Sequence, residues 1–195
     1  MTELEAVNLM LRNIGQVPVT SISDSPRKDS NIALQVLREY SSELQTDGYD
    51  FNTFEKFEVT PSSTKTISFG PSVIRVRNYY PYQRLTLKGR FLWDVDNQTS
   101  LFDGPQTVNI IQEVSFEDLP RVFQRYVTIR AARVFANRVV GAGEINSYTS
   151  EDETRARIAW INSYSEDMEL NVFSNSSHHR PATYSLFGTI NRSLL

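Results

Sequence analysis

Hydrophobic residues recur every three or four positions at both ends of the chain, and alternate with polar residues in its middle. A helix is predicted over residues 2–13, and its apolar face consists of Leu4, Val7, Leu11 and Ile14. A second helix is predicted to begin near Ser25-Pro26 and end at Gly48, with an apolar face of Ala33, Val36, Leu37, Tyr40 and Leu44. Each helix has one apolar side, so together they predict a helical hairpin.

From Tyr49 onward, aromatic and β-branched residues alternate with polar ones between turn-forming residues, which is typical of strands. Strands are predicted near residues 51–59, 64–68, 73–80, 83–88, 91–94 and 107–114. Pro61, Pro71 and Pro81 favour short or edge strands, because proline cannot donate to a β ladder. The middle of the chain is therefore predicted to form a small, irregular antiparallel β lobe.

A third helix is predicted over residues 117–140, within a stretch that contains five arginines. On a helical wheel Arg130 and Arg133 fall inside the apolar arc, whereas Arg121 and Arg125 lie outside it. Arginine on an apolar face needs a carboxylate or a partner, because an unpaired buried charge is costly.

The fourth predicted helix begins near Ser150, and one face of it carries Glu153, Ala156, Trp160, Tyr164 and Asp167. We therefore expect Arg130 and Arg133 to form structural ion pairs with Glu153 or Asp167.

Charge is unevenly distributed although the net charge is only −3. Residues 121–138 contain only basic charges, and residues 144–169 are acidic apart from Arg155 and Arg157. This balance favours contact of Arg121 and Arg125 with a neighbouring chain over binding of nucleic acid.

The last segment, residues 171–195, is rich in serine and asparagine and has no carboxylate. It nevertheless contains several apolar side chains, which a purely disordered tail usually lacks. We predict an extended arm that becomes ordered on another chain, with candidate interface residues Phe173, Tyr184, Leu186, Phe187 and Ile190.

Together these elements predict an α+β protein. An antiparallel bundle of about four helices is expected from residues 1–50 and 116–170, with the β lobe, residues 51–115, inserted between the second and third helices. Residues 171–195 form the predicted arm.

The sequence offers little for catalysis or cofactor binding. It has no cysteine, and its two histidines are adjacent at His178 and His179 in the predicted arm. A serine–histidine–aspartate site or a metal site is therefore not expected. No apolar run reaches the ~20 residues of a membrane span. We predict neither an enzyme nor a metal, cofactor or membrane partner.

Three segments carry a resemblance to a known family: LEAVNLMLRNIGQVPVTSI, LQTDGYDFNT and FDGPQTVNIIQEVSFEDLPRVFQRYVTIRAARVFANRVVGAGEI. They resemble tail tubular protein A, the head-to-tail adaptors of short-tailed bacteriophages, in which tryptophan usually stands in place of Tyr49. The third segment is the most specific. The resemblance covers roughly residues 3 to 170.

The resemblance implies a structural virion protein, assembled in the host cytoplasm, at the head-to-tail junction. Family members form a dodecameric ring beneath the portal protein, with the nozzle protein (tail tubular protein B) below and tail fibres around the junction. DNA passes through the lumen of the ring without specific binding. Arg121, Arg125 and the arm are then candidates for the subunit or portal interface.

An alternative of a different class is a tail-associated protein that binds or hydrolyses glycans. Its sugar platform would consist of aromatic residues of the β lobe, Tyr79, Tyr80, Tyr82 and Trp93. The same residues are also suited to packing in the core or between subunits.

Overall fold

The computed structural model describes residues 1–22, 28–141 and 150–174, with side chains as far as residue 166. These residues form four α-helices, α1 (Glu3–Asn13), α2 (Lys28–Gln45), α3 (Arg121–Val139) and α4 (Ser150–Ser174). Between α2 and α3 lie β1 (Thr53–Val59), β2 (Val73–Asn78), β3 (Leu85–Lys88), β4 (Phe91–Asp94) and β5 (Gln106–Gln112). The predicted α+β class, with strands inserted between the second and third helices, is confirmed.

Two compact units divide the chain, residues 1–160 and 161–195. The described part of the second unit continues α4 as far as Ser174.

The helix α1 begins at a capping box. The Thr2 hydroxyl accepts the backbone N–H of Glu5, and the Glu5 carboxylate accepts the backbone N–H of Thr2. One face of α1 is fully buried, at Ala6, Val7, Met10 and Leu11. Because α1 contacts both α2 and α3, this face lies at the centre of the helical core.

The β lobe has a core of its own. A three-stranded antiparallel sheet with the order β1-β5-β2 is accompanied by the hairpin β3–β4. Side chains from both sheets and their connections form one apolar cluster, Ile67, Val76, Leu85, Leu92, Phe102, Val108 and Ile110. The lobe is therefore a small two-layer structure.

A cluster of four aromatic rings joins the lobe to the helices. Tyr49 follows α2, Phe51 precedes β1, Phe123 lies on α3 and Trp160 lies on α4. Every pair of these rings is in contact, with centroids between 4.8 and 6.1 Å apart. Burial raises the pKa of Tyr49 to about 12, although its hydrogen bond with the Trp160 side chain acts in the opposite direction.

Buried polar side chains fix the same junction. The amide of Gln45, at the end of α2, donates to the Val114 carbonyl at 3.0 Å and accepts the Val114 N–H at 2.8 Å. Asn52 donates to the Gln45 carbonyl and accepts the N–H of Tyr49. The chain entering the β lobe and the chain leaving it are thereby held together, because these buried groups satisfy one another.

The predicted third helix requires a correction at its start. Residues 116–118 form a 3-10 turn, Leu119 and Pro120 are extended, and α3 begins only at Arg121. The reason is steric, since proline disfavours the helical conformation in the residue before it.

Two further boundaries differ from the prediction. Residues 64–68 form isolated bridges, Thr66 with Leu101 and Ser68 with Phe91, instead of a strand. The helix α4 continues to Ser174, so residues 171–174 of the predicted arm are helical, whereas residues 175–195 lie outside the described residues. Once a helix is under way, each added residue gains a hydrogen bond, so the polar composition after Asn171 does not end it at once.

Gly48, in the turn between α2 and β1, offers a test of the junction between the helices and the β lobe. Its φ is +77°, and an added Cβ would lie 2.5 Å from Cδ1 of Ile111 on β5. Gly89 in the β3–β4 hairpin has a similar φ of +65° but open space around it. We expect Gly89→Ala to lower the free energy of unfolding by about 1–2 kcal/mol. We expect Gly48→Ala to lower it by about 1–3 kcal/mol more, because of overpacking.

Denaturant unfolding of both variants beside the parent protein measures the difference. Equal losses for the two glycines would contradict close packing of the α2–β1 turn against β5.

Candidate interaction surfaces

Two arginines of α3 are held within the fold by one acid. Nη1 of Arg130 donates to Oε1 of Glu153 at 2.9 Å, and Arg133 donates to the other carboxylate oxygen. The Glu153 side chain is 17% exposed. The structure thus brings together three of the four residues predicted to form structural ion pairs. Asp167 lies on α4, but its side chain is outside the described residues.

Arg130 has two further neighbours that the sequence did not single out. Its Nη2 donates to Glu43 on α2 at 3.3 Å, and its guanidinium lies 5.2 Å from the ring centroid of Tyr40. Burial lowers the pKa of Arg130, but its hydrogen bond and charge interaction with Glu153 outweigh this and raise the pKa overall. Arg130 therefore remains charged and links α2, α3 and α4.

Arg121 and Arg125 are placed differently. Both are exposed and line a cleft of about 730 Å³ between α1 and α3, together with Arg12 of α1. Arg12 donates to the carbonyl of Asn8, one turn earlier in its own helix. Within the described residues none of the three arginines forms an ion pair. The cleft is therefore a basic surface with three arginines against one carboxylate, Glu5.

The remaining lining of this cleft is mixed. Glu5 is its one carboxylate, and the capping box of α1 already engages it. The floor is fixed by buried hydrogen bonds, since the Gln124 amide donates to the Phe116 carbonyl and the Thr128 hydroxyl donates to the Gln124 carbonyl. The apolar wall consists of Met1, Leu9, Pro18 and Ile129. The cleft thus offers positive charge beside apolar surface on two packed helices.

A second exposed surface lies along the edge strand β1. All five residues from Phe54 to Glu58 are exposed, and the rings of Phe54 and Phe57 are 48% and 45% exposed. A bulge between these phenylalanines, where Lys56 adopts a φ of +55°, pairs them with Ile110 and Val108 of β5. Both rings are therefore on the same face of the sheet, beyond the edge of the lobe core.

The aromatic residues proposed as a sugar platform are only partly brought together. Tyr80 contacts Tyr79 at 4.9 Å and stacks on Tyr82 at 5.2 Å, between ring centroids, and Tyr82 is 74% exposed. Trp93 instead lies beneath the ammonium of Lys88, 3.8 Å from its ring centroid. In the described chain no ring contact joins Trp93 to the tyrosines.

Other residues predicted to form an interface lie outside the part of the chain that the structure describes. Phe173 lies in α4 without a described side chain, and the arm residues outside the described ranges are Tyr184, Leu186, Phe187 and Ile190. The described residues contain no group of three or more side chains suited to bind a metal ion. Among them, no helix has both the length and the apolar character that a membrane crossing requires.

The two acids at the start of α4 provide a matched stability test. Glu153→Gln leaves Arg130 and Arg133 without the carboxylate they share. We expect it to lower the free energy of unfolding by about 1–3 kcal/mol. Among the described residues Glu151 pairs only with the exposed Arg155, at 3.4 Å, and Glu151→Gln is expected to cost less than about 0.5 kcal/mol. Denaturant unfolding of both variants measures the two free energies of unfolding. Equal losses would argue against a structural role for Glu153.

The chain is 29% identical over 154 residues to tail tubular protein A of Klebsiella phage KP34, covering 78% of this chain and 82% of that relative. A family model described as tail tubular protein matches residues 4–170. Residues 4–170 include nearly all of the four helices, the whole β lobe and most of the residues that line the basic cleft. The chain therefore belongs to the tail tubular protein family, a family of structural components of bacteriophage tails and not of enzymes.

Proposed function

We propose that the protein is a head-to-tail adaptor. Copies of the chain form a dodecameric ring at the junction of the phage head and tail. The portal protein lies above this ring and the nozzle protein, tail tubular protein B, below it, with tail fibres attached around the junction. The proposal extends the family assignment, which covers residues 4–170, and the name of the Klebsiella phage relative.

The observation that carries the proposal is the basic cleft. Arg121 and Arg125 project from a rigid, well-packed helix, yet have no acidic partner in the described residues. Charged side chains on a fixed scaffold are suited to set the register and orientation of a protein partner. A closed ring also needs two different, complementary patches on every subunit. The cleft supplies one of them.

Passage of DNA through the ring is consistent with the overall charge. Phosphate binding comes mainly from lysine and arginine, and a strongly basic lumen would retard the duplex. The chain has a net charge of −3, and three of its arginines, at positions 130, 133 and 138, are engaged by glutamates of the same chain. We propose that the lumen guides DNA without binding it specifically. Neither a membrane nor a cofactor has a role in this mechanism.

Mixing the purified protein with its portal protein tests the adaptor role. We expect negative-stain images to show a second ring stacked on the portal ring, with twelvefold averages, because the contacts on the portal repeat by symmetry. The portal alone and the adaptor alone are the controls. A portal ring that stays bare at saturating adaptor concentration would contradict the proposal.

A further inference from the structure

The exposed strand β1 and the α1–α3 cleft have complementary chemistry. The cleft combines three arginines with an apolar wall, and β1 presents two phenylalanines beside glutamate. We infer that the cleft of one copy receives the β1 edge of a second copy, through Phe54, Phe57 and Glu58. This inference rests on the proposed ring and names the contact that closes it.

The β1 edge has the character of a covered surface. A strand in a small sheet normally alternates between buried and exposed side chains, yet Phe54 to Glu58 are exposed without interruption. Two half-exposed phenylalanine rings on one face form an apolar patch at the edge of the lobe core. Such patches mark interaction sites in soluble proteins. Burying both rings against a partner removes this surface from water.

The charges on the two surfaces are opposite. Glu58 extends from β1 and makes no ion pair within the described residues, and the cleft presents Arg12, Arg121 and Arg125 against the single carboxylate of Glu5. Arginine can bond a carboxylate through two parallel N–H groups and also stack on an aromatic ring. Phe57 pairs with Val108 and Glu58 with Thr107, so the two phenylalanines lie on one face of the edge strand and the Glu58 carboxylate on the other. A cleft that receives the edge itself therefore meets the rings on one side and the carboxylate on the other. The cleft volume of about 730 Å³ is sufficient to hold side chains of this size.

The contact is made by side chains and does not extend the sheet. The bulge at Lys56 interrupts the regular β1 ladder, and the Lys56 N–H is taken by the side chain of Asn109 at 3.0 Å. Bulges of this kind discourage an added strand at a sheet edge. The phenylalanine rings on one face of the edge and the Glu58 carboxylate on the other are left to contact the walls of a cleft.

The two surfaces share no residue, so the contact is heterologous. When one copy places its β1 edge in the cleft of the next, each end of the pair still has one surface unfilled. Repetition of a heterologous contact gives either a closed ring or an open filament. Stacking on a symmetric portal selects the closed form.

Disulfide trapping tests the contact, because the chain has no cysteine of its own. Leu9→Cys places a thiol in the cleft without removing an arginine, and Phe54→Cys places one on β1. In the presence of portal, oxidation of the double variant should give a ladder of cross-linked multimers. The matched control pairs Leu9→Cys with Leu101→Cys, an exposed apolar position of the β lobe, 55% exposed. We expect it to give at least tenfold less cross-linking.

Electron microscopy of the same samples, after reduction, tests the adaptor role separately from the contact between β1 and the cleft. Rings on the portal without a ladder of cross-linked multimers would overturn the contact and leave the adaptor role intact. Rings accompanied only by an intramolecular disulfide or by a cross-link to the portal would have the same meaning. Absence of rings in the parent protein would overturn the adaptor role itself.

A charge exchange provides a second variant, in case the cysteines disturb folding. Glu58→Arg should reduce ring occupancy on the portal by at least tenfold, and adding Arg125→Glu in the same chain should restore most of it. Failure of the second substitution to restore assembly would contradict the pairing of these two surfaces.

Discussion

Mutual contact among Tyr49, Phe51, Phe123 and Trp160 is the constraint on which the rest of the first unit depends. The four rings come from the turn after α2, the start of β1, the first turn of α3 and the third turn of α4. No two elements that follow each other in the chain carry all four rings. Because Tyr49, Phe123 and Trp160 are buried, the cluster fixes where the β lobe leaves the helices and where α4 returns to them. Both the acid of α4 and the cleft arginines take their positions from that arrangement.

The arginines of α3 illustrate how position along one helix separates structure from function. Arg130 and Arg133 lie two turns and more beyond Phe123, where α4 places Glu153 against them. Arg121 and Arg125 lie on the side that faces α1, where the helix borders a cleft whose one carboxylate, Glu5, forms no ion pair with either of them. The same residue type thus stabilises the fold at one end and remains available to a partner at the other. Membership of a family of phage tail proteins agrees with a surface built for assembly.

Periodicity and wheel positions were enough to predict the four helices, the insertion of the β lobe and the separation of the two pairs of arginines. Two features needed the folded chain, and a third could have been read from the sequence. Arg12 is an ordinary residue on the polar face of α1, and only the packing of α1 on α3 brings it into the same cleft as Arg125. Glu43 reaches Arg130 through tertiary contact alone. The bulge in β1 had a sequence signal, since Phe54 and Phe57 are three residues apart and a regular strand would place them on opposite faces.

We propose that Arg121 and Arg125 serve a partner and not the fold. Ring formation on the portal and the free energy of unfolding, both measured for the Arg121→Glu/Arg125→Glu variant, test this. We expect the variant to keep a free energy of unfolding within about 0.5 kcal/mol of the parent, because its changed charges are exposed, and to lose the ring. A variant that still assembles at the parent's concentration would contradict it.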